Sequence, residues 1–205
     1  MVPVPVRLIL TALLSMLAVI LFLVFRTKPR KSAMIAMLLS SCGDVFMVNS
    51  ADWGQLAAYA GAAFFIAAHI VYGGGFYEQL KAKGRSRSNA GTYAGMVLMV
   101  LSAVGLGIAA CTVPEDKKPV MFALILVYIA AIGYNVTSTF SLAKAFGKTY
   151  IILPFASVVF YATDVFIFAD MLNIDHTLRQ YVWLAYPEAQ LLLILFADKF
   201  RSKNV

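Results

Sequence analysis

Apolar residues fill seven stretches of the chain, approximately 4–25, 33–50, 54–77, 91–111, 119–143, 150–171 and 179–199. Each is close to the roughly 20 residues that an α-helix needs to cross about 30 Å of hydrocarbon. The breaks between them are short and polar: RTKPRK, NSADWG, EQLKAKGRSRSN, TVPEDKKP, KAFGKT and NIDHT. Pro29 and Pro119 stand where helices tend to start, and Gly147 where one tends to end. The pattern predicts an all-α, polytopic transmembrane bundle of seven helices. The first run is too long for the apolar core of a signal peptide and has no convincing cleavage site, so it reads as a retained helix. No stretch is long enough for a separate soluble domain, and residues 1–205 are expected to form one integral membrane domain.

Composition points the same way. Of the 205 residues, 61% are hydrophobic and 13% charged, about half the charged fraction of an ordinary soluble domain. Lipid rather than water is therefore expected to face most of the surface. The formal net charge of +7 does not imply nucleic acid, because most Lys and Arg sit in the short breaks after the first, third and fifth runs and in the C-terminal tail. Positive charge stays on the cytoplasmic side, which predicts a cytoplasmic C-terminus and an N-terminus outside. Cys42 falls inside one helix and Cys111 near the opposite end of another, so no disulfide is expected.

Against this apolar background a few polar residues stand out. An ionisable group at the bilayer centre costs on the order of 2.5–3.5 kcal/mol on insertion scales, yet Asp44, His69 and Asp164 all fall inside predicted spans. Tyr72, Tyr134, Asn135, Tyr161 and Gln190 accompany them. Ser40 or Ser41 shares a helical face with Asp44, and Ser157, Tyr161 and Asp164 form a stripe at helical spacing. Tyr134 shares a face with Ser138, and Tyr186 with Gln190, while Glu188 points away and Pro187 removes a backbone donor. At 1.5 Å of rise per residue, both carboxyls lie roughly 18–21 Å from the cytoplasmic ends of their helices. The same arithmetic puts His69 nearer the cytoplasm than the carboxyls, and Gly73–Gly75 lowers helix propensity and leaves room for a neighbouring chain or a ligand head group. Each of these groups has a structural alternative, such as tying one helix to the next or packing an aromatic ring with a satisfied hydroxyl. One His and two Asp without dense ligand spacing give no reason to invoke a metal or other cofactor.

Four segments in order, SSCGDVFM, FFIAAHIVYGGGFY, FASVVFYATDVFIFAD and YPEAQLLLIL, resemble the YhhN lysoplasmalogenase family from about residue 28 to residue 198. The family pattern of Gly-Asp, His with Tyr three residues on, a later Asp, and Tyr with Ala-Gln maps onto Gly43 and Asp44, His69 and Tyr72, Asp164, and Tyr186, Ala189 and Gln190. The chain departs from the pattern in having seven runs rather than the family's usual eight, and in the Pro187 and Glu188 of its last segment. The resemblance implies a membrane hydrolase that cleaves the vinyl ether bond of lysoplasmalogens to a fatty aldehyde and a glycerophospho head-group product. Its partners would be the lysophospholipid substrate and membrane lipids. Asp44 and Asp164 would be catalytic, and His69, Tyr72, Tyr134, Asn135, Tyr161 and Gln190 would position substrate or water. The alternative class is a non-enzymatic lipid-binding protein or a proton-linked transporter, since intramembrane Asp and His also relay protons.

Overall fold

The computed structural model describes residues 31–109, 118–147, 150–171 and 179–197; the run at 4–25 lies outside them. The described chain forms α1 (Lys31–Val48), a four-residue α2 (Ser50–Trp53), α3 (Gln55–Ala82), α4 (Asn89–Ala109), α5 (Lys118–Phe146), α6 (Ile152–Met171) and α7 (Arg179–Ala197). Among the described residues there is no strand, and six of the expected spans are present. The helix Lys31–Val48, the helix Gln55–Ala82 and the segment Phe122–Phe146 are long and apolar enough to cross a membrane, with shorter apolar stretches at Asn89–Gly105 and Ile152–Ile167. Val97, Val100, Leu101 and Val104 of α4 and Leu126 and Val127 of α5 are exposed. In water such a contiguous apolar surface would be a liability; against lipid it is at equilibrium.

The helices that pack on one another run α1–α3–α5–α6–α7 and back to α1. They thus close a ring of five, while α4 packs on the outside of α5. Lipid tails are as apolar as the side chains, so close packing rather than water exclusion must hold such a bundle together. Small residues make this possible. Ala57, Ala58, Gly61, Ala62, Ala68 and Gly73 form much of the buried surface of α3. At Gly73 a side chain would meet the Tyr134 ring and come within 3.1 Å of the Asn135 Cα, so its absence lets α5 approach.

The end of α3 differs from expectation. The helix runs straight through Gly73–Gly75 to Ala82, and stops at Gly84, whose φ of 63° suits glycine. There Arg85 N donates to Leu80 O and Gly84 N to Lys81 O, the paired bonds that close a helix C-terminus on a left-handed residue. The glycine triplet is thus an interior packing surface of a helix that runs on to Ala82, beyond the expected end near residue 77. After the turn, Ser88 Oγ accepts from Gly91 N at 3.0 Å and caps the start of α4. Ser88 N in turn donates to Ser141 Oγ at 3.1 Å, which ties the basic loop to the C-terminal part of α5.

Candidate active site

Each helix of the ring sends polar side chains inward, and they form two hydrogen-bonded networks. The first centres on His69 of α3, which is fully buried at 0% exposure. Its Nε2 lies 2.9 Å from Asp164 Oδ2 on α6, itself 1% exposed, and its Nδ1 lies 3.2 Å from Asn135 Nδ2 on α5. With the amide nitrogen donating to Nδ1, the imidazole proton sits on Nε2 and is donated to the carboxyl. The Tyr128 hydroxyl of α5 bonds to the same carboxyl. Asp164 Oδ1 and Asn135 Oδ1 are buried without a partner.

The second network is a chain with one direction. Tyr72 OH on α3 donates to Gln190 Oε1 on α7 at 2.8 Å. Gln190 Nε2 donates to Tyr186 OH at 2.8 Å, and Tyr186 OH donates to Asp44 Oδ2 on α1 at 3.2 Å. Tyr72, Tyr186 and Gln190 are buried, whereas Asp44 is partly exposed. Phe160 of α6 stands between the networks, its ring centroid 4.6 Å from that of His69 and 5.2 Å from that of Tyr186. Tyr186, which donates to Asp44, and His69, which donates to Asp164, thus pack against the same ring.

These six contributors, Asp44, His69, Tyr72, Asp164, Tyr186 and Gln190, come from four separated segments of sequence. The sequence profile of the YhhN family matches residues 6–197. The chain belongs to the YhhN family. No curated protein and no solved structure matches it. In this YhhN protein the Gly-Asp, His-x-x-Tyr, Asp and Tyr-x-x-x-Gln residues, scattered along the chain, are the ones that converge in the ring.

Two expectations need correction. His69 is level with the carboxyls rather than nearer the basic side, because α3 continues to Ala82 instead of ending near residue 77 and puts His69 roughly 20 Å from that end. Tyr134, expected at the site, lies instead beneath the Arg87 guanidinium, 4.7 Å from its ring centroid, with Tyr77 at 4.6 Å. Neighbouring residues do not share a helical face, so turning Asn135 toward His69 turns Tyr134 toward Gly73 and the loop. Tyr161 bonds outside both networks: its hydroxyl lies 2.6 Å from Ser102 Oγ on α4. Ser41 spends its hydroxyl on Met37 O at 2.8 Å, while the buried Ser40 and Ser157 hydroxyls have no partner.

Tyr128, Phe160 and Ser102 were not singled out from the sequence. Tyr128 precedes Asn135 by two helical turns and so shares its face, a signal that was available. Ser102 and Phe160 carry no such mark. Among the described residues no three His, Cys, Asp or Glu side chains are placed to hold a metal ion, and Cys42 is an exposed free thiol.

Proposed function

We propose that this YhhN-family membrane protein hydrolyses the vinyl ether bond of lysoplasmalogens, releasing a fatty aldehyde and a glycerophospho head-group product. The observation that carries the reading is the convergence of Asp44 and Asp164, from distant parts of the chain, in one helical ring with separate hydrogen-bond networks. A vinyl ether yields to acid. A proton added to the carbon next to the chain leaves an oxocarbenium ion, water adds to the ether carbon, and the hemiacetal collapses to aldehyde and alcohol. One carboxyl is needed as the acid and one as the anion that steadies the cation and takes a proton from water.

His69 and Asn135 hold Asp164 in one orientation, and Tyr186, itself held by Gln190 and Tyr72, does the same for Asp44. Held carboxyls require no reorganisation as charge develops, the condition under which electrostatic stabilisation is most effective. The one-directional chain from Tyr72 to Asp44 also suits a proton-linked transporter, the competing reading.

Purified protein incubated with a lysoplasmalogen decides between them. Aldehyde detected by mass spectrometry from the wild type, and lost in Asp44→Asn and in Asp164→Asn that still fold in membranes, is the expected result. Full turnover in both variants would dispose of the proposed roles, and absence of aldehyde from the wild type would remove the hydrolase reading.

A further inference from the structure

Four basic side chains, Lys81, Lys83, Arg85 and Arg87, stand exposed around the turn from α3 to α4. Arg87 differs from the other three. Its guanidinium carbon lies over two aromatic rings, 4.6 Å from the centroid of Tyr77 on α3 and 4.7 Å from that of Tyr134 on α5. Ring faces attract the charge without consuming the N–H groups, so the fork of donors stays available. Among the described residues no carboxylate pairs with Arg87, the neighbouring Glu78 included. The charge is held in place and not neutralised.

The two tyrosines end two strips of smaller apolar residues. On α3, Ile70 and Gly74 precede Tyr77 on one helical face, and on α5, Val127 and Ala130 precede Tyr134 in the same way. Ile70, Val127 and Ala130 are exposed, and Gly74 is partly buried. A Cβ at Gly74 would find the Tyr134 hydroxyl at 3.9 Å and no other atom within 4 Å, so the strips meet there with no bulk between them. α4 packs on α5 but not comparably on α3, which leaves this outer surface to lipid. A hydrocarbon chain lying along it brings its head group to the end where Arg87 stands.

We propose that Arg87, braced by Tyr77 and Tyr134, binds the phosphate of a bilayer phospholipid whose hydrocarbon chain lies along these strips. The chemistry selects the occupant. A phosphate diester matches the planar fork of a guanidinium, and basic sites beside transmembrane helices take up lipid head groups. Free phosphate would leave the strips unused, and an acidic peptide or nucleic acid brings no hydrocarbon to cover them. An arginine reaching only for water needs no pair of rings to hold it. The site lies outside the ring of five helices and is independent of the hydrolase reading. It still has a link to the interior. Tyr134 packs on Gly73 of α3, while its neighbour Asn135 meets His69, so a lipid bound at Arg87 steadies the α3–α5 contact on which Asn135 depends.

The test is native mass spectrometry of the full-length protein, released from detergent with phosphatidylglycerol, with diacylglycerol of the same chains, or with inorganic phosphate. The wild type should retain phosphatidylglycerol and neither of the others. Arg87→Gln should weaken that retention about tenfold, the effect of one lost charge-assisted hydrogen bond. Arg85→Gln removes the same charge from the same turn and should weaken it by less than about twofold. Ala130→Trp, which fills an exposed position of the strip, should weaken it about as much as Arg87→Gln. All variants are compared at circular dichroism matching the wild type in lipid-free detergent. Equal losses in the two arginine variants would reduce the site to diffuse charge and overturn it. Diacylglycerol retained as well as phosphatidylglycerol would remove the phosphate from the proposal and overturn it. Inorganic phosphate that displaces the lipid, or retention untouched by Ala130→Trp, would remove the chain and overturn it equally.

Discussion

Replacing Tyr186 by Phe removes one oxygen from the middle of the chain that runs from Tyr72 through Gln190 to Asp44. The ring stays, with its edge contacts to Phe65 and Phe160, so packing is held constant. Two polar groups lose a partner: Gln190 Nε2 its acceptor and Asp44 Oδ2 its donor. Net hydrogen bonds in membrane bundles average about 0.6 kcal/mol and reach about 1.7. Gln190 is 2% exposed and belongs at the upper value; Asp44, partly exposed, belongs at the lower. The expected cost is about 2–3 kcal/mol, within the range for leaving buried polar groups unmade. Tyr72→Phe strands only Gln190 Oε1 and should cost about 1 kcal/mol.

The two hydroxyls do not touch each other, yet they should be coupled, because Gln190 bridges them. Once Tyr186 has lost its oxygen, the Gln190 amide is free to turn, and Tyr72→Phe then removes less. A double-mutant cycle by reversible unfolding in mixed micelles should find the double variant milder than the two singles together by about 0.5–1 kcal/mol. Strict additivity, or a Tyr72→Phe that is costlier than Tyr186→Phe, would refute Gln190 as the link.

Gly73→Ala puts a methyl group on the Tyr134 ring and within 3.1 Å of the Asn135 backbone; it should cost about 1–3 kcal/mol as overpacking and, by shifting α5, weaken the Asn135–His69 contact, so aldehyde yield should fall with thermal stability. Lys81, Lys83, Arg85 and Arg87 lie at the end of the bundle that Ser88 ties to α5 near Lys144, which predicts a cytoplasmic face there. In sealed right-side-out vesicles a C-terminal tag should be protected from added protease until the membrane is opened; cleavage without opening would overturn that orientation.

The helices were legible because each is encoded locally. A run of apolar residues and its polar punctuation are contiguous in sequence, so α4 and α6 fall within two residues of where the runs placed them. The polar side chains were legible as a set, since a charge in lipid is costly wherever it sits. Their partners were not. Whether Asn135 or Tyr134 faces the site depends on the rotation of α5, which packing against Gly73 fixes and no local pattern declares. The depth of His69 was misjudged because the helix continues from residue 77 to Ala82 through residues that read as polar punctuation. Gly73–Gly75 lowers helix propensity, but Gly73 meets Tyr134 and Asn135, and Gly75 meets Ser32, and these tertiary contacts override it.

The placement of Asp164 joins the fold to the proposed chemistry. A carboxyl buried wholly among donors would be an effective anion with nothing to give, and one buried wholly in hydrocarbon would lack support for the charge left after giving its proton. Asp164 stands between these extremes: His69 and Tyr128 serve the carboxyl from the ring, while Oδ1 is buried without a partner. That arrangement requires both surroundings at once, which is why one carboxyl on α6 depends on side chains from α3 and α5.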